Sequence, residues 1–308
     1  MLAELPVKSG LRSYGGLHLM EWIGKAQVIE NQNRKLNKKC AEVVKKYKES
    51  GMDILVLKGQ GNALLYPNAL LRTPGDIDIL VGGIDRDSLT NYVRTNKSIT
   101  GHHYHHIEYV EDGLPIEVHF IPCSMNNPLF HHRLQNWLKL HEMCKEKREL
   151  PDNEGLIPVP SKEFNVVFQL AHMMHHFFDE GIGLRQMIDY YYLLKLDGRG
   201  KKEDVSDTLK YLNLYNFAGA VMYIMKEVLG LDEKFLIVPV DERRGKTLLN
   251  EILKGGNFGH YSGLDQNNSL KKYFQKTWRN MQLVKEYPAE ALCEPVFRTW
   301  HFFWRLAH

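Results

Sequence analysis

The chain has 308 residues, of which 44% are hydrophobic and 25% are charged. These values are typical of a soluble globular protein that is long enough for two domains of ordinary size. The formal net charge of +3 is too small to indicate nucleic-acid binding by itself. Lysines and arginines do cluster between Arg34 and Lys48, where a solvated helix face is the favoured interpretation and a phosphate- or nucleic-acid-facing patch is the alternative.

The cysteines indicate neither a disulfide framework nor a zinc site. Cys40, Cys123, Cys144 and Cys293 are widely spaced and form no Cys-x-x-Cys pair, so we expect reduced thiols. The first ten residues lack the apolar core of a signal peptide, and no apolar run approaches the ~18 residues of a membrane span. We therefore expect a cytoplasmic protein without a membrane partner.

The first part of the chain alternates helices and strands. Apolar residues recur every three or four positions over 17–50 and predict a long amphipathic helix that stops at Gly51. A short buried strand is predicted over 53–57, then a turn and a short helix ending near Tyr66, and a second strand over 76–81. A helix over 85–95 follows. The strands predicted over 104–110 and 115–121 are joined by Asp112-Gly113, a strong hairpin signal.

The rest of the chain has helical periodicity. Helices are predicted over 128–147, 162–179, 184–196, 204–212, 217–230, 241–254, 270–287 and 289–305. The fold class is therefore α+β. A small mixed-sheet domain with an N-terminal helix is expected over residues 1–150 and an all-helical domain over 151–308, with the proline-containing stretch 151–160 as the junction.

Asp76 and Asp78 stand out because two carboxylates are separated by one residue inside an apolar run. Strand side chains alternate faces, so both carboxylates point the same way while Ile77 and Ile79 point into the core. Two like charges on one face repel each other, and a divalent cation would remove that repulsion. The alternative is a helix or loop cap combined with an ion pair to Arg72.

These residues carry a family resemblance. The segments Leu57-Lys58-Gly59, Arg72-Thr73-Pro74-Gly75-Asp76-Ile77-Asp78-Ile79-Leu80-Val81 and Ile116-Glu117-Val118-His119 resemble a bacterial family of uncharacterised nucleotidyltransferases. That family belongs to the polymerase β-like, or minimal nucleotidyltransferase, superfamily. The resemblance covers about residues 50–125. It implies an enzyme that moves a nucleoside monophosphate from a nucleoside triphosphate to an acceptor hydroxyl.

The resemblance also implies roles for individual residues. Asp76, Asp78 and Glu117 would bind Mg²⁺ or Mn²⁺, as two ions, and act as the catalytic carboxylates. Two such ions stabilise both the attacking and the leaving oxygen of phosphoryl transfer. Gly59 and Gly61 would let the backbone approach the phosphates. Apart from the resemblance, we consider Lys58, Arg72 and Arg185 as further candidates for nucleotide binding.

Alternatives remain open at several of these positions. The superfamily commonly has Gly-Ser at the turn, whereas this chain has Lys58-Gly59-Gln60-Gly61, so Lys58 either reaches a phosphate or pairs with Asp76 or Asp78. Glu117 is either a metal ligand or a solvent-facing strand residue. Arg72 either binds phosphate or orders its loop.

The histidines are second-tier candidates. His119 shares a strand face with Glu117 and either assists the metal or a proton transfer or is structural. His172 and His176 have the i, i+4 spacing of a metal-binding pair, without the glutamate of a His-Glu-x-x-His protease. The run 102–106 is expected to be a solvated strand entry. Arg185 follows Gly181-Ile182-Gly183, which is either part of a nucleotide or acceptor pocket or a tight helix–helix turn.

Two classes of function follow. The first is the Mg²⁺-dependent enzyme, with a small molecule, a sugar or a protein as the hydroxyl-bearing acceptor. The second is a binding or regulatory module with weakened catalysis, such as one partner of a toxin–antitoxin or defence pair. A nucleic-acid acceptor is not favoured, because it would require a stronger basic stripe.

Overall fold

The structure is a computed structural model that describes residues 16–141, 145–179, 181–195, 202–255 and 269–307. It confirms the predicted fold class, since a long N-terminal helix and a five-stranded sheet are followed by a helical C-terminal part. Cys144 and the first ten residues lie outside the described residues. Of the cysteines that are described, Cys40, Cys123 and Cys293 are free.

The N-terminal helix α1 spans Gly16–Glu49. Its buried face includes Leu36 and Tyr47, which belong to the core beside the sheet. The helix ends at Gly51, whose φ of 78° places it in the left-handed region. The Gly51 amide donates to the Lys48 carbonyl and the Met52 amide donates to the Tyr47 carbonyl, the pair of bonds that closes a Schellman C-cap.

Five strands form one sheet in the order β1-β2-β5-β4-β3. They are β1 (Asp53–Val56), β2 (Ile77–Gly82), β3 (Ile99–His102), β4 (His106–Glu111) and β5 (Leu114–His119). Strands β1 and β2 are antiparallel, with Asp53 opposite Gly82. The predicted hairpin joins β4 to β5, and Asp112 and Gly113 both have positive φ, at 53° and 75°.

Two helices accompany these strands. Helix α2 (Gln60–Ala63) has only four residues and lies between β1 and β2 in the chain. Helix α3 (Arg86–Asn96) begins after Asp85, whose side chain accepts a hydrogen bond from the Ser88 amide at 3.0 Å. This hydrogen bond caps the N-terminus of α3.

A second, two-stranded sheet was not predicted. It pairs β6 (Lys145–Glu149) with β7 (Leu156–Pro160). The helix predicted over 128–147 is α4, Pro128–His141, so its predicted last residues are wrong. Strand β6 consists only of charged residues and has no apolar alternation, whereas its partner β7 has four consecutive buried residues. The residues of β6 therefore give no local signal that this segment pairs with β7 as a strand.

The remaining helices follow the predicted order. They are α5 (Lys162–Asp179), α6 (Leu184–Lys195), α7 (Lys202–Tyr211), α8 (Tyr215–Tyr223), α9 (Glu242–Gly255), α10 (Ser269–Gln282) and α11 (Pro288–Ala307), and a π-helical segment, Ile224–Val228, continues α8. Within the described ranges, no helix has the length and hydropathy needed to cross a membrane.

The chain divides into two compact units. The first unit consists of residues up to 100 with 108–118 and 146–159, and the second consists of 101–107, 119–145 and 160 onward. The first unit contains α1, β1, β2 and most of β5. The second contains α4 to α11 and is built around buried aromatic side chains such as Phe168 and Phe217.

Within the first unit, α1 holds the loop that leads to β2. The side-chain amide of Asn33, which is fully buried, donates to the carbonyls of Leu70 and Arg72 at 2.7 Å each. Leu70 lies in a short 3₁₀ turn, Ala69–Leu71. Because one amide group satisfies two buried carbonyls, Asn33 fixes the path of the chain a few residues before Asp76.

We expect Asn33→Asp to destabilise the protein by about 3 kcal/mol, because it replaces the donor of two buried hydrogen bonds with a charged acceptor facing two carbonyls. Asn31→Asp makes the same change at an exposed position of the same helix and should alter the free energy of unfolding by less than ~0.5 kcal/mol. Urea denaturation of both variants measures the difference. Equal stabilities would show that the Asn33 bonds do not hold the loop.

Candidate functional site

The two aspartates sit at the start of β2. Asp76 directly precedes the strand and Asp78 is its second residue. Asp78 is 1% exposed, while Ile77 and Ile79 are buried on the opposite face of the strand. Burial does not distinguish the two faces of β2, because Ile77 to Val81 are all buried. The carboxylate oxygens of Asp76 and Asp78 lie within 4.8 Å of each other, as expected for residues i and i+2 on one strand face.

Glu117 comes from the neighbouring strand β5. Carboxylate oxygens of Asp76, Asp78 and Glu117 all lie within 4.8 Å of one another. Strand order explains the meeting, because β5 lies directly beside β2 in the sheet. The structure thus brings together the three carboxylates that the sequence singled out.

Lys58 supplies the cation of the site. Its Nζ lies 2.8 Å from Oδ1 of Asp78. The antiparallel pairing of β1 and β2 continues to Leu57, whose amide donates to the Asp78 carbonyl at 3.0 Å. Lys58, the residue after Leu57, therefore lies beside the carboxylates. Lys58 is thus ion-paired with Asp78, and its contact with a phosphate stays a prediction.

The electrostatics of Lys58 involve all three carboxylates. Burial lowers the pKa of Lys58, but the negative charges of Asp78, Glu117 and Asp76 raise it further, so that its pKa lies above the ordinary value. The side chain is therefore an ammonium at every physiological pH.

A divalent cation fits this arrangement. Three carboxylates offer the hard oxygen ligands that Mg²⁺ and Mn²⁺ prefer, and neighbouring ligands of one Mg²⁺ lie about 3–4 Å apart. Oxygens within 4.8 Å of one another reach that spacing through small side-chain rotations.

The turn after β1 is shaped by close backbone contacts. Gly59 has φ 48° and ψ −111°, and a Cβ at this position would lie 2.7 Å from the Asp76 carbonyl oxygen. A Cβ on Gly61 would lie 3.1 Å from the Val56 carbonyl oxygen. Glycine is thus required where the turn passes the start of β2.

The phosphate-binding role proposed for the turn is not visible in its hydrogen bonds. The Gly61 amide donates to the Lys58 carbonyl at 2.8 Å. Gln60 stands where the superfamily commonly has serine; it is 1% exposed, and its side-chain amide donates to Asn37 of α1. The Gln60 side chain therefore links the turn to α1 by a hydrogen bond.

Arg72 and His119 are both buried. The Arg72 side chain is 4% exposed, and its Nη1 donates to the Thr73 carbonyl at 3.3 Å, a contact that orders the loop. His119 is the last residue of β5, two positions after Glu117, and is 1% exposed. Their roles toward nucleotide or metal remain predictions.

The other candidates belong to the second unit. His172 and His176 lie one turn apart on α5 with their Nε2 atoms 3.1 Å apart. Arg185 is the second residue of α6, after a turn in which the Gly183 amide donates to Gln186 at 3.0 Å. In the run 102–106, His106 is buried, so the expected solvated strand entry is wrong at that residue. The ring of His106 lies 4.3 Å from that of His105.

Sequence reasoning missed the polar residues that support the site. Asn33 and Asn37 occupy the buried face of α1, where the apolar periodicity would place hydrophobic side chains. Two asparagines one turn apart within an apolar stripe are a signal of buried hydrogen bonding, since unpaired polar groups are costly in a core. Their partners, however, are distant in sequence.

A model of a family described as uncharacterised nucleotidyltransferase matches residues 7–230. A comparison with curated proteins gives no match. Among solved structures, an antigenic nucleotidyltransferase-like protein from Paracoccidioides brasiliensis is 13% identical, with 67% of this chain and 94% of that chain covered and a TM-score of 0.41. A Thermotoga maritima CCA-adding enzyme complexed with tRNA is 13% identical, with 88% and 81% covered and a TM-score of 0.24.

We expect Gly59→Ala to weaken Mn²⁺ binding by about 10-fold or more, because its Cβ would push the Asp76 backbone and displace a metal ligand. Gly51→Ala is the matched control: its φ is also positive, at 78°, but nothing lies within 4 Å of the added Cβ. Titration calorimetry or Mn²⁺ electron paramagnetic resonance measures binding. Equal effects of the two substitutions would contradict a role for the Gly59–Asp76 contact.

We expect Lys58→Met to cost about 3–5 kcal/mol of stability in the presence of EDTA, because it leaves the buried Asp78 charge without its ammonium partner. Saturating Mg²⁺ should recover much of this loss, since a bound cation replaces the missing charge. Lys45→Met, at an exposed lysine of α1, should have little effect under either condition. Thermal unfolding with EDTA and with Mg²⁺ tests both statements, and an equal loss in the two media would contradict cation binding at these carboxylates.

Proposed function

Because the chain belongs to the family of uncharacterised nucleotidyltransferases, we propose that it transfers a nucleoside monophosphate from a nucleoside triphosphate to a hydroxyl group, with Mg²⁺ or Mn²⁺ at Asp76, Asp78 and Glu117. The observation that carries this proposal is the convergence of the three carboxylates within 4.8 Å on two adjacent strands. A carboxylate cluster of this kind is the usual protein contribution to a divalent-ion site that also binds substrate phosphates.

The proposed transfer reaction gives a role to the carboxylates and to Lys58. Attack of the acceptor oxygen on the α-phosphorus forms a new P–O bond and breaks the bond to pyrophosphate. A bound divalent cation would stabilise the charge on these oxygens. Glu117 and Asp78 are near enough to hold such a cation and to accept the hydroxyl proton. Lys58, always an ammonium, would offset the charge of the pyrophosphate leaving group if it exchanged Asp78 for a phosphate oxygen.

Lys58 also supports a second candidate function. Its ammonium is within hydrogen-bonding distance of Asp78, so part of the cation requirement is already met by the protein itself. A chain in which this ion pair persisted would bind nucleotide or metal weakly and act as a binding or regulatory module. The two candidates differ in whether Lys58 leaves Asp78 when nucleotide and metal bind.

For the acceptor we propose a small molecule, a sugar or a protein. The net charge of +3 gives no long basic surface of the kind that nucleic-acid acceptors require. We propose a cytoplasmic location, because Cys40, Cys123 and Cys293 are free thiols and nucleoside triphosphates are intracellular substrates.

Incubation with each α-³²P-labelled nucleoside triphosphate, Mg²⁺ or Mn²⁺ and candidate acceptors should give labelled product. Asp76→Ala, Asp78→Ala and Glu117→Gln should each lower its rate by at least about 100-fold, because each removes a ligand of the transition-state cation. Asp53→Asn, at an exposed carboxylate of β1, is the control and should retain the rate.

The outcomes separate the candidates. Absence of nucleotide binding by the wild-type protein would overturn the enzyme proposal. Weak binding without turnover, strengthened by Lys58→Met, would favour the regulatory module, in which the Lys58–Asp78 ion pair persists. Incorporation that depends on added RNA would show that the acceptor is a nucleic acid.

A further inference from the structure

The last two helices expose a row of large apolar side chains. We call this row the α10–α11 patch and define it by six residues that are each 48–70% exposed: Phe274, Trp278, Met281, Leu292, Val296 and Phe303. On both helices the patch residues are spaced three to seven positions apart, the spacing of one helix face. Within the part of the chain that the structure describes, both of these apolar helix faces are exposed.

The two helices run antiparallel. Nη2 of Arg298 donates to Oγ1 of Thr277 at 2.8 Å, and the Tyr273 hydroxyl lies 3.2 Å from Oγ1 of Thr299. These contacts fix the position of one helix relative to the other along their axes. In the direction in which residue numbers on α11 rise, those on α10 fall. Met281 is then level with Leu292 and Trp278 with Val296.

Both rows of the patch point to the same side. On α10 the patch residues follow by one position, about 100°, the residues that face α11, such as Tyr273 and Thr277. On α11, Leu292, Val296 and Phe303 lie seven positions before, three before and four after Thr299, which contacts Tyr273, so they are rotated from it in the same sense by about 20–60°. Because the helices are antiparallel, rotations in the same sense from the shared interface bring both rows to one surface. The patch is therefore continuous across the helix pair.

The size of the patch matches one side of a stable interface. The exposed parts of its three aromatic side chains amount to roughly 400 Å², and the three aliphatic ones raise the total to roughly 500 Å². A standard interface covers about 800 Å² on each partner, of which about 60% is apolar. The enrichment in Trp, Phe and Met, with charges kept out of the centre, is typical of interface cores.

We propose that the α10–α11 patch binds the same patch of a second copy of this chain. The patch is aromatic at one end, with Phe274 and Phe303, and aliphatic at the other, with Met281 and Leu292. We place a two-fold axis in the plane of the patch, perpendicular to the helices and at the level of Trp278 and Val296. Rotation about this axis brings the aromatic end of each copy onto the aliphatic end of the other. Such a surface is self-complementary, as an isologous dimer requires.

Charge and chain position are compatible with this pairing. Lys271, Lys285 and Arg305 are exposed around the patch and outside its apolar rows, where a solvated rim lies in most interfaces. Repulsion between rim charges is small because salt screens it. The patch lies beyond residue 230, where the match to the family ends, so the dimer is independent of the proposed chemistry.

The test is the mass of the full chain in solution by analytical ultracentrifugation over a range of concentrations. We expect a reversible dimer, and Trp278→Glu with Val296→Glu should raise its dissociation constant by at least ~30-fold, as expected when an interface hot spot is replaced by a charge. Leu140→Glu is the matched control, because Leu140 is 78% exposed on α4, and it should leave the constant unchanged.

Circular dichroism and thermal unfolding establish that the variants fold, and Trp278→Ser, which adds no charge, gives a second comparison. A wild-type chain that is monomeric at all concentrations overturns the proposal, as does a dimer that the patch variants leave intact. Sedimentation of the monomer with phosphatidylglycerol vesicles, lost in the patch variants, would show instead that the patch binds a lipid surface.

Discussion

The site depends on one constraint: three carboxylates are held together in a place where Asp78 has almost no access to solvent. Carboxylates in this position are tolerated only when a cation accompanies them. Lys58 meets part of that demand through its ion pair with Asp78. Much of the first unit serves this arrangement, because β1 positions Lys58, β2 positions the aspartates and β5 positions Glu117.

The parts of the site that sequence reasoning found are those set by local periodicity. The two-residue alternation of a strand placed Asp76 and Asp78 on one face, and the same alternation singled out Glu117. Strand order then decided that β5 lies beside β2, a non-local fact that the residues of either strand do not contain. The family resemblance supplied that step, and the structure gives it a geometric basis.

The parts that sequence reasoning missed depend on contacts between distant residues. Asn33, Asn37 and Gln60 form hydrogen bonds to partners 23–39 positions away, and nothing near them in the chain specifies those partners. Strand β6 was missed for a similar reason, because its charged residues gain strand structure only through β7. Amphipathic helices such as α10 and α11 were predictable, whereas the exposure of their apolar faces requires knowledge of what packs against them.

The hydrogen bonds between Asn33 of α1 and the loop before β2 have a consequence for the order in which the chain folds during synthesis. As the ribosome releases the chain from its N-terminus, α1 emerges before the carbonyls of Leu70 and Arg72 to which Asn33 donates, and Asp76 and Asp78 emerge before Glu117. Contacts of long sequence separation form late because loop closure must come first. The three carboxylates therefore come together only after residue 117 has left the exit tunnel, when more than a third of the chain has been synthesised.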